Sequence, residues 1–206
     1  MKDTKHGAKC MTATSAKKVA FITMMIVLGN IFSGISIYLG PIYPGVNLDF
    51  SHITTFIAAI YGGPAYGAIV GFFGGVWAGF YFGFIGGTLS WLSLLGLPIG
   101  KSLTGLTTGL FYRVFRIREK SHASIITVPA VLVSFIPETL FTVIYFLALA
   151  PYFFAFGFDM LMLGIILPKA WAEIVFISFL MAALVGNQGF STFVTSFLST
   201  RATKTE

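Results

Sequence analysis

Apolar residues in this chain come in long runs, separated by short segments that are polar or rich in glycine and proline. Six runs stand out, at about 18–39, 49–62, 64–84, 97–115, 123–150 and 168–190. A helix needs roughly 20 apolar residues to cross the hydrocarbon core of a bilayer, and all but the second run reach that length. Phe50 to Tyr61 supplies only about 18 Å of helix at a rise of about 1.5 Å per residue.

The positions of the basic residues bear on whether the short run crosses. Lys2, Lys5, Lys9, Lys17 and Lys18 precede the first run, Arg113, Arg116, Arg118 and Lys120 follow the fourth, and Arg201 and Lys204 close the chain. Basic clusters between apolar runs mark cytoplasmic loops. An even number of crossings must then separate the first two clusters, so the short segment crosses, thinning the bilayer or borrowing from its flanks. The expectation is an all-α integral membrane protein: a six-transmembrane-helix bundle over 18–190, with cytoplasmic tails at 1–17 and 191–206. Segments 40–48, 85–96 and 151–167 fall on the outer side. They are rich in aromatic residues, glycine and proline, a composition that can fold back as a lid. The first run is too long for a signal-peptide core and lacks a small-residue exit, so it is read as a retained span.

Composition agrees with lipid as the main solvent. Of 206 residues, 56% are hydrophobic and 10% charged, against about 25% charged in soluble domains. The net charge of +6 is accounted for by topology, so no nucleic-acid partner is inferred. Cys10 is the single cysteine, which excludes an internal disulfide. His6, His52 and His122 are scattered, without metal-ligand spacing.

The sharpest local pattern is a glycine at every fourth position: Gly63, Gly67, Gly71, Gly75, Gly79, Gly83 and Gly87. Such a row winds along one helix ridge and lets another backbone approach closely. Two uses stay open, tight packing inside the domain and a smooth face that permits rocking. Ala16 and Ala20 form a second small-residue pair, beside Lys17 and Lys18. Ionisable residues inside apolar runs are costly, at about 2.5–3.5 kcal/mol each at a helix centre, and generally face a cavity or a partner. Glu138 follows Pro137 within the fifth run, and Lys169 and Glu173 stand four apart on one face at the start of the sixth. Each could tie helices together or recognise a polar ligand. Lys101 is the remaining basic residue within a run. Asp49 and Ser51 read as helix caps; Tyr43, Trp91 and Tyr152 read as interfacial aromatics or stacking platforms.

There is no G-x-x-x-x-G-K-[ST], G-x-S-x-G or H-E-x-x-H motif, so the chain itself is not expected to hydrolyse ATP or to be an enzyme, and no metal or other cofactor is expected.

Taken together, the chain resembles the substrate-binding S components of energy-coupling factor (ECF) transporters. The likeness rests on a basic N-terminus leading into Ala16-x-x-x-Ala20, on Gly40-Pro41 through Leu48-Asp49-Phe50-Ser51 before a short second span, and on Gly63-Pro64-Ala65-Tyr66-Gly67 opening a glycine-rich helix. It covers nearly the whole chain, and its first half is the more specific. The resemblance implies a plasma-membrane subunit that captures a vitamin-like micronutrient from outside. It also implies a membrane coupling protein as partner, with two ATPase subunits that hydrolyse ATP. Ala16 and Ala20 become docking candidates, and Trp91, Lys101, Glu138, Lys169 and Glu173 substrate-binding candidates. Carboxylates and lysines among aromatics suit a flat heterocycle with several hydrogen-bonding groups. A self-sufficient proton-coupled carrier, a non-transporting membrane scaffold and, behind them, a small membrane enzyme stay open as other classes.

Overall fold

A computed structural model describes residues 4–43, 46–86, 91–149 and 160–198. The chain runs as α1 (Thr4–Tyr38), a short antiparallel ribbon of β1 (Pro41–Tyr43) and β2 (Val46–Asn47), then α2 (His52–Gly62), α3 (Pro64–Gly74) and α4 (Val76–Phe80). A π-helical turn at Tyr81–Ile85 extends α4. There follow α5 (Ser93–Val114), a 3-10 turn at Ile117–Glu119, α6 (Ala123–Ser134), α7 (Ile136–Ile144) with a π-helical turn at Tyr145–Leu149, α8 (Met160–Gly186) and α9 (Gln188–Leu198).

Among the described residues four helical stretches are long and apolar enough to span a membrane: Ala16–Tyr38, Pro64–Ile85, Ala123–Ala148 and Leu163–Gly186. The protein is thus an all-helical membrane protein apart from the small ribbon. The boundaries differ from the sequence-based expectation where proline misled it. Pro168 lies inside α8, so that helix begins eight residues earlier than 168, within the expected outer segment. Pro98 likewise lies inside α5. Prolines are tolerated within membrane helices when neighbouring groups satisfy the freed carbonyls. Helix also extends back into the N-terminal segment as far as Thr4 and forward through α9 into the C-terminal one.

Glycine decides how the centre packs. Gly63, at φ 94°, breaks the chain between α2 and α3 in a conformation that side chains disfavour, and Pro64 restarts the helix. The α3 ridge then lies on α5, the most extensive helix pair among the described residues. A Cβ on Gly67 would collide with the Gly105 carbonyl, and one on Gly71 with the Lys101 carbonyl. On Gly79 it would come within 2.8 Å of the Ser93 oxygen. Gly75 faces Pro98 Cα at 3.1 Å. Gly83, in the π-helical turn, is half-buried; Gly87, Tyr152, Arg201 and Lys204 lie outside the described residues.

Polar side chains complete the packing, as they do where hydrocarbon gives helices no hydrophobic reason to associate. Asn30 of α1 donates to the Phe73 carbonyl at 3.0 Å and accepts from the Trp77 amide at 3.0 Å, satisfying backbone groups at the α3–α4 irregularity. Between α5 and α6, Thr107 donates to the Ser134 carbonyl at 2.6 Å, and the Thr108 and Ser134 hydroxyls pair at 2.7 Å. The main apolar core, including Phe21, Phe56, Val70, Val131, Ile177 and Met181, fills one part of the bundle. A smaller cluster of Leu92, Tyr145, Phe146 and Leu163 sits at the other end, beside a cavity.

Candidate functional site

The cavity is built where the segment before α2 meets α5, α7 and α8. Lys101 enters it from α5, buried to 2% exposure. Its ammonium sits 2.6 Å from Asp49 Oδ2 and also donates to Ser51 Oγ. Ser51 in turn donates its hydroxyl to Asp49 Oδ1 at 2.7 Å and its amide to the same oxygen at 3.0 Å. This corrects the reading of Ser51 as a helix cap: its side chain bonds no first-turn amide of α2, and its oxygen accepts from the buried ammonium instead. Asp49 does take a backbone amide at the start of the helical segment, that of Ser51, while its other oxygen pairs with Lys101.

Glu138 reaches the cavity from α7, placed there by the break at Phe135, where Pro137 lacks the amide that would continue the helix. The Gly100 backbone makes room for it: a Cβ there would lie 3.3 Å from Glu138 Cγ. Thr104 donates to Glu138 Oε2 at 2.5 Å, and His52 Nε2 lies 3.5 Å from Oε1. From α8, Glu173 accepts the Asp49 backbone amide on Oε1 at 2.7 Å and pairs through Oε2 with Lys169 Nζ at 3.0 Å. Lys101, Glu138, Lys169 and Glu173 therefore converge, joined by Asp49, Ser51, His52 and Thr104.

Of these, Asp49, His52, Lys101, Glu138, Lys169 and Glu173 border a cavity of about 140 Å³, whose remaining wall is largely apolar, with Phe82, Leu97, Phe135, Phe141, Phe146 and Ile166. Three of the lining residues carry a buried polar atom without a hydrogen-bond partner: Ser33 Oγ, His52 Nδ1 and Tyr145 OH. A buried polar group left unpaired costs about 1–3 kcal/mol, and here three such groups belong to residues around one space. The charged set comprises three carboxylates, Asp49, Glu138 and Glu173, against the ammoniums of Lys101 and Lys169. Among the described residues no three His, Cys, Asp or Glu side chains group as a metal site.

Trp91 does not join this set; it is 50% exposed and outside the cavity lining. Ala16 and Ala20 lie far along α1, both exposed. Sequence reasoning missed His52, Thr104, Ser33 and Tyr145. Thr104 was accessible in principle, since it follows Lys101 by one helical turn. His52 ends the polar run Asp49-Phe50-Ser51-His52, whose participation depends on where α7 brings Glu138.

No curated protein and no solved structure matches the chain. Residues 17–185, by contrast, match the family described as ECF transporter, substrate-specific component. That match covers every residue that lines the cavity, together with Ala20 and the glycines from Gly63 to Gly83. The chain belongs to the family of ECF transporter substrate-specific components.

Proposed function

We propose that the cavity is the substrate site and that the chain captures a small vitamin-like heterocycle from outside the cell. Delivery then runs through a membrane coupling protein and ATPase subunits that hydrolyse the ATP. In this reading α5 and the short α2 cross the membrane together with the four long apolar stretches, giving six spans with both ends cytoplasmic. The observation that carries the proposal is the cavity's mixed lining: aromatic walls, a ring of fixed charges, and three buried polar atoms without partners. An apolar guest would leave those atoms unsatisfied. A planar ring with several hydrogen-bonding groups would stack on the phenylalanines and pair with Ser33, His52 and Tyr145.

Lys101 and Asp49 hold the segment before α2 to α5, and Glu173 holds it to α8. The side chains that bind the guest are thus already oriented before it arrives, which lowers the ordering cost of binding. Ala16 and Ala20, small and exposed on α1, give the coupling protein a close approach.

Native mass spectrometry of protein purified gently from its own membranes tests the reading. A co-purifying small molecule, lost in Glu138→Gln and Lys169→Ala variants, is the expected result. The same molecule should raise thermal stability of the wild-type chain by mass action. An empty wild-type protein that also fails to retain a coupling subunit would refute the proposal in favour of a membrane scaffold.

A further inference from the structure

A second concavity lies at the other end of the bundle, where the α2–α3 turn meets the end of α5. It offers about 780 Å³ and is bordered by Tyr61, Pro64, Tyr112, Arg113, Arg116 and Arg118. Glu119 is the one acid on its described wall, and among the described residues none of the three arginines has a carboxylate within 4.0 Å. Arg118 is held in place: its guanidinium lies 4.8 Å above the Tyr61 ring and donates to Thr195 Oγ1 at 2.7 Å. Arg113 and Arg116 are exposed, and Arg116 stands at φ 46° where the chain leaves α5. The floor is firm, since Tyr112 is buried and donates to Thr127 at 2.6 Å. Three guanidiniums against one carboxylate make a cleft whose charge calls for an anion, and the planar guanidinium suits phosphate oxygens.

The apolar neighbours say which phosphate. Val114 and Phe115, directly after Arg113, are 70% and 53% exposed, and Phe115 stacks on Phe111 with ring centroids 5.6 Å apart. Neither lines the cleft, but they stand between Arg113 and Arg116 in the chain and present apolar surface next to the basic residues. At the boundary between headgroups and acyl chains they have a natural place, with the arginines reaching the phosphates.

We infer that this cleft binds the phosphodiester headgroup of an anionic phospholipid, with Arg113 and Arg116 on the phosphate and Val114 and Phe115 against the acyl chains. The volume exceeds what a bare phosphate fills and leaves space for the glycerol portions. The inference does not rest on the substrate reading above.

The test is native mass spectrometry of the full-length, delipidated chain titrated with phosphatidylglycerol or phosphatidylcholine of identical acyl chains. Inorganic phosphate is titrated in a separate arm. One tightly held phosphatidylglycerol is expected, retained in preference to phosphatidylcholine. At about 1 kcal/mol per basic residue near a lipid surface, Arg113→Gln/Arg116→Gln should weaken that binding roughly 25-fold, with the melting temperature unchanged. Equal retention of the two lipids overturns the inference, and so does a well-folded double variant that binds phosphatidylglycerol as wild type does. Displacement of the lipid by millimolar phosphate, without preference between headgroups, overturns it in favour of a soluble anion. Should the double variant fail to fold, the headgroup preference of the wild-type chain decides alone.

Discussion

Replacing Lys101 by Met tests whether the buried ion pair beside the cavity holds the segment before α2 in place. Methionine keeps an unbranched apolar stem one atom shorter but removes the ammonium 2.6 Å from Asp49 Oδ2. The Lys101 side chain is 3% exposed and that of Asp49 24%, so the lysine is lost from a dry site and the carboxylate is left in a partly wet one. Breaking a buried pair from one side costs about 3–5 kcal/mol, largely because the remaining charge is stranded. Asp49 keeps two donors from Ser51 and some solvent, which places the expected loss near the lower end, at about 3 kcal/mol. Adding Asp49→Asn removes the stranded charge, so the double variant should recover much of the loss and show a coupling energy on the order of 2 kcal/mol. Reversible unfolding in mixed micelles of rising dodecyl sulfate content, followed by tryptophan fluorescence, gives all four corners of the cycle. A loss below about 1 kcal/mol for Lys101→Met, or two substitutions that simply add, would show the pair to be no stronger than a surface contact.

Other substitutions separate packing from binding. Gly71→Leu should abolish recovery of monodisperse protein, because even a Cβ there meets the Lys101 carbonyl; Gly164→Ala, with nothing within 4 Å of its Cβ, should melt within a degree or two of wild type. Tyr145→Phe removes a buried hydroxyl without a partner, so the empty protein should be as stable or more so, while ligand-induced stabilisation falls by about 1 kcal/mol in a thermal-shift titration. A drop in the stability of the empty protein would show that the hydroxyl already has a partner. Ala16→Leu/Ala20→Leu should leave folding and ligand retention intact, since both residues are exposed, but lose the coupling subunit in co-purification. Retained association would remove α1 from the docking surface.

How far the sequence reaches depends on the range of the physics involved. Hydrophobic runs report solvent directly, because lipid leaves long stretches with no alternative to apolar side chains. The membrane class and the helical character were therefore legible from composition and spacing. The four-residue glycine period was legible as a ridge for the same local reason, although only the structure shows that Gly67, Gly71, Gly75 and Gly79 meet the α5 backbone. Helix boundaries near Pro98 and Pro168 were not, since a proline's effect turns on whether neighbouring groups relieve the carbonyl it strands.

The candidate site divides in the same way. Lys101, Glu138, Lys169 and Glu173 drew attention because a charge in an apolar run is expensive wherever it points. Who answers each charge is a matter of tertiary geometry. Asp49, 52 residues before Lys101, and Glu173, 124 residues after Asp49, meet only because α2, α5 and α8 pack around one space. Trp91 stood out as an aromatic at the right depth, yet the fold leaves it outside the cavity. His52, Ser33 and Tyr145 carry no expensive charge and sit among ordinary helix residues, so nothing in the sequence distinguishes them. What sets them apart is that each buries a polar atom without a hydrogen-bond partner while lining the same cavity, a property of the packed bundle that no single stretch of chain contains.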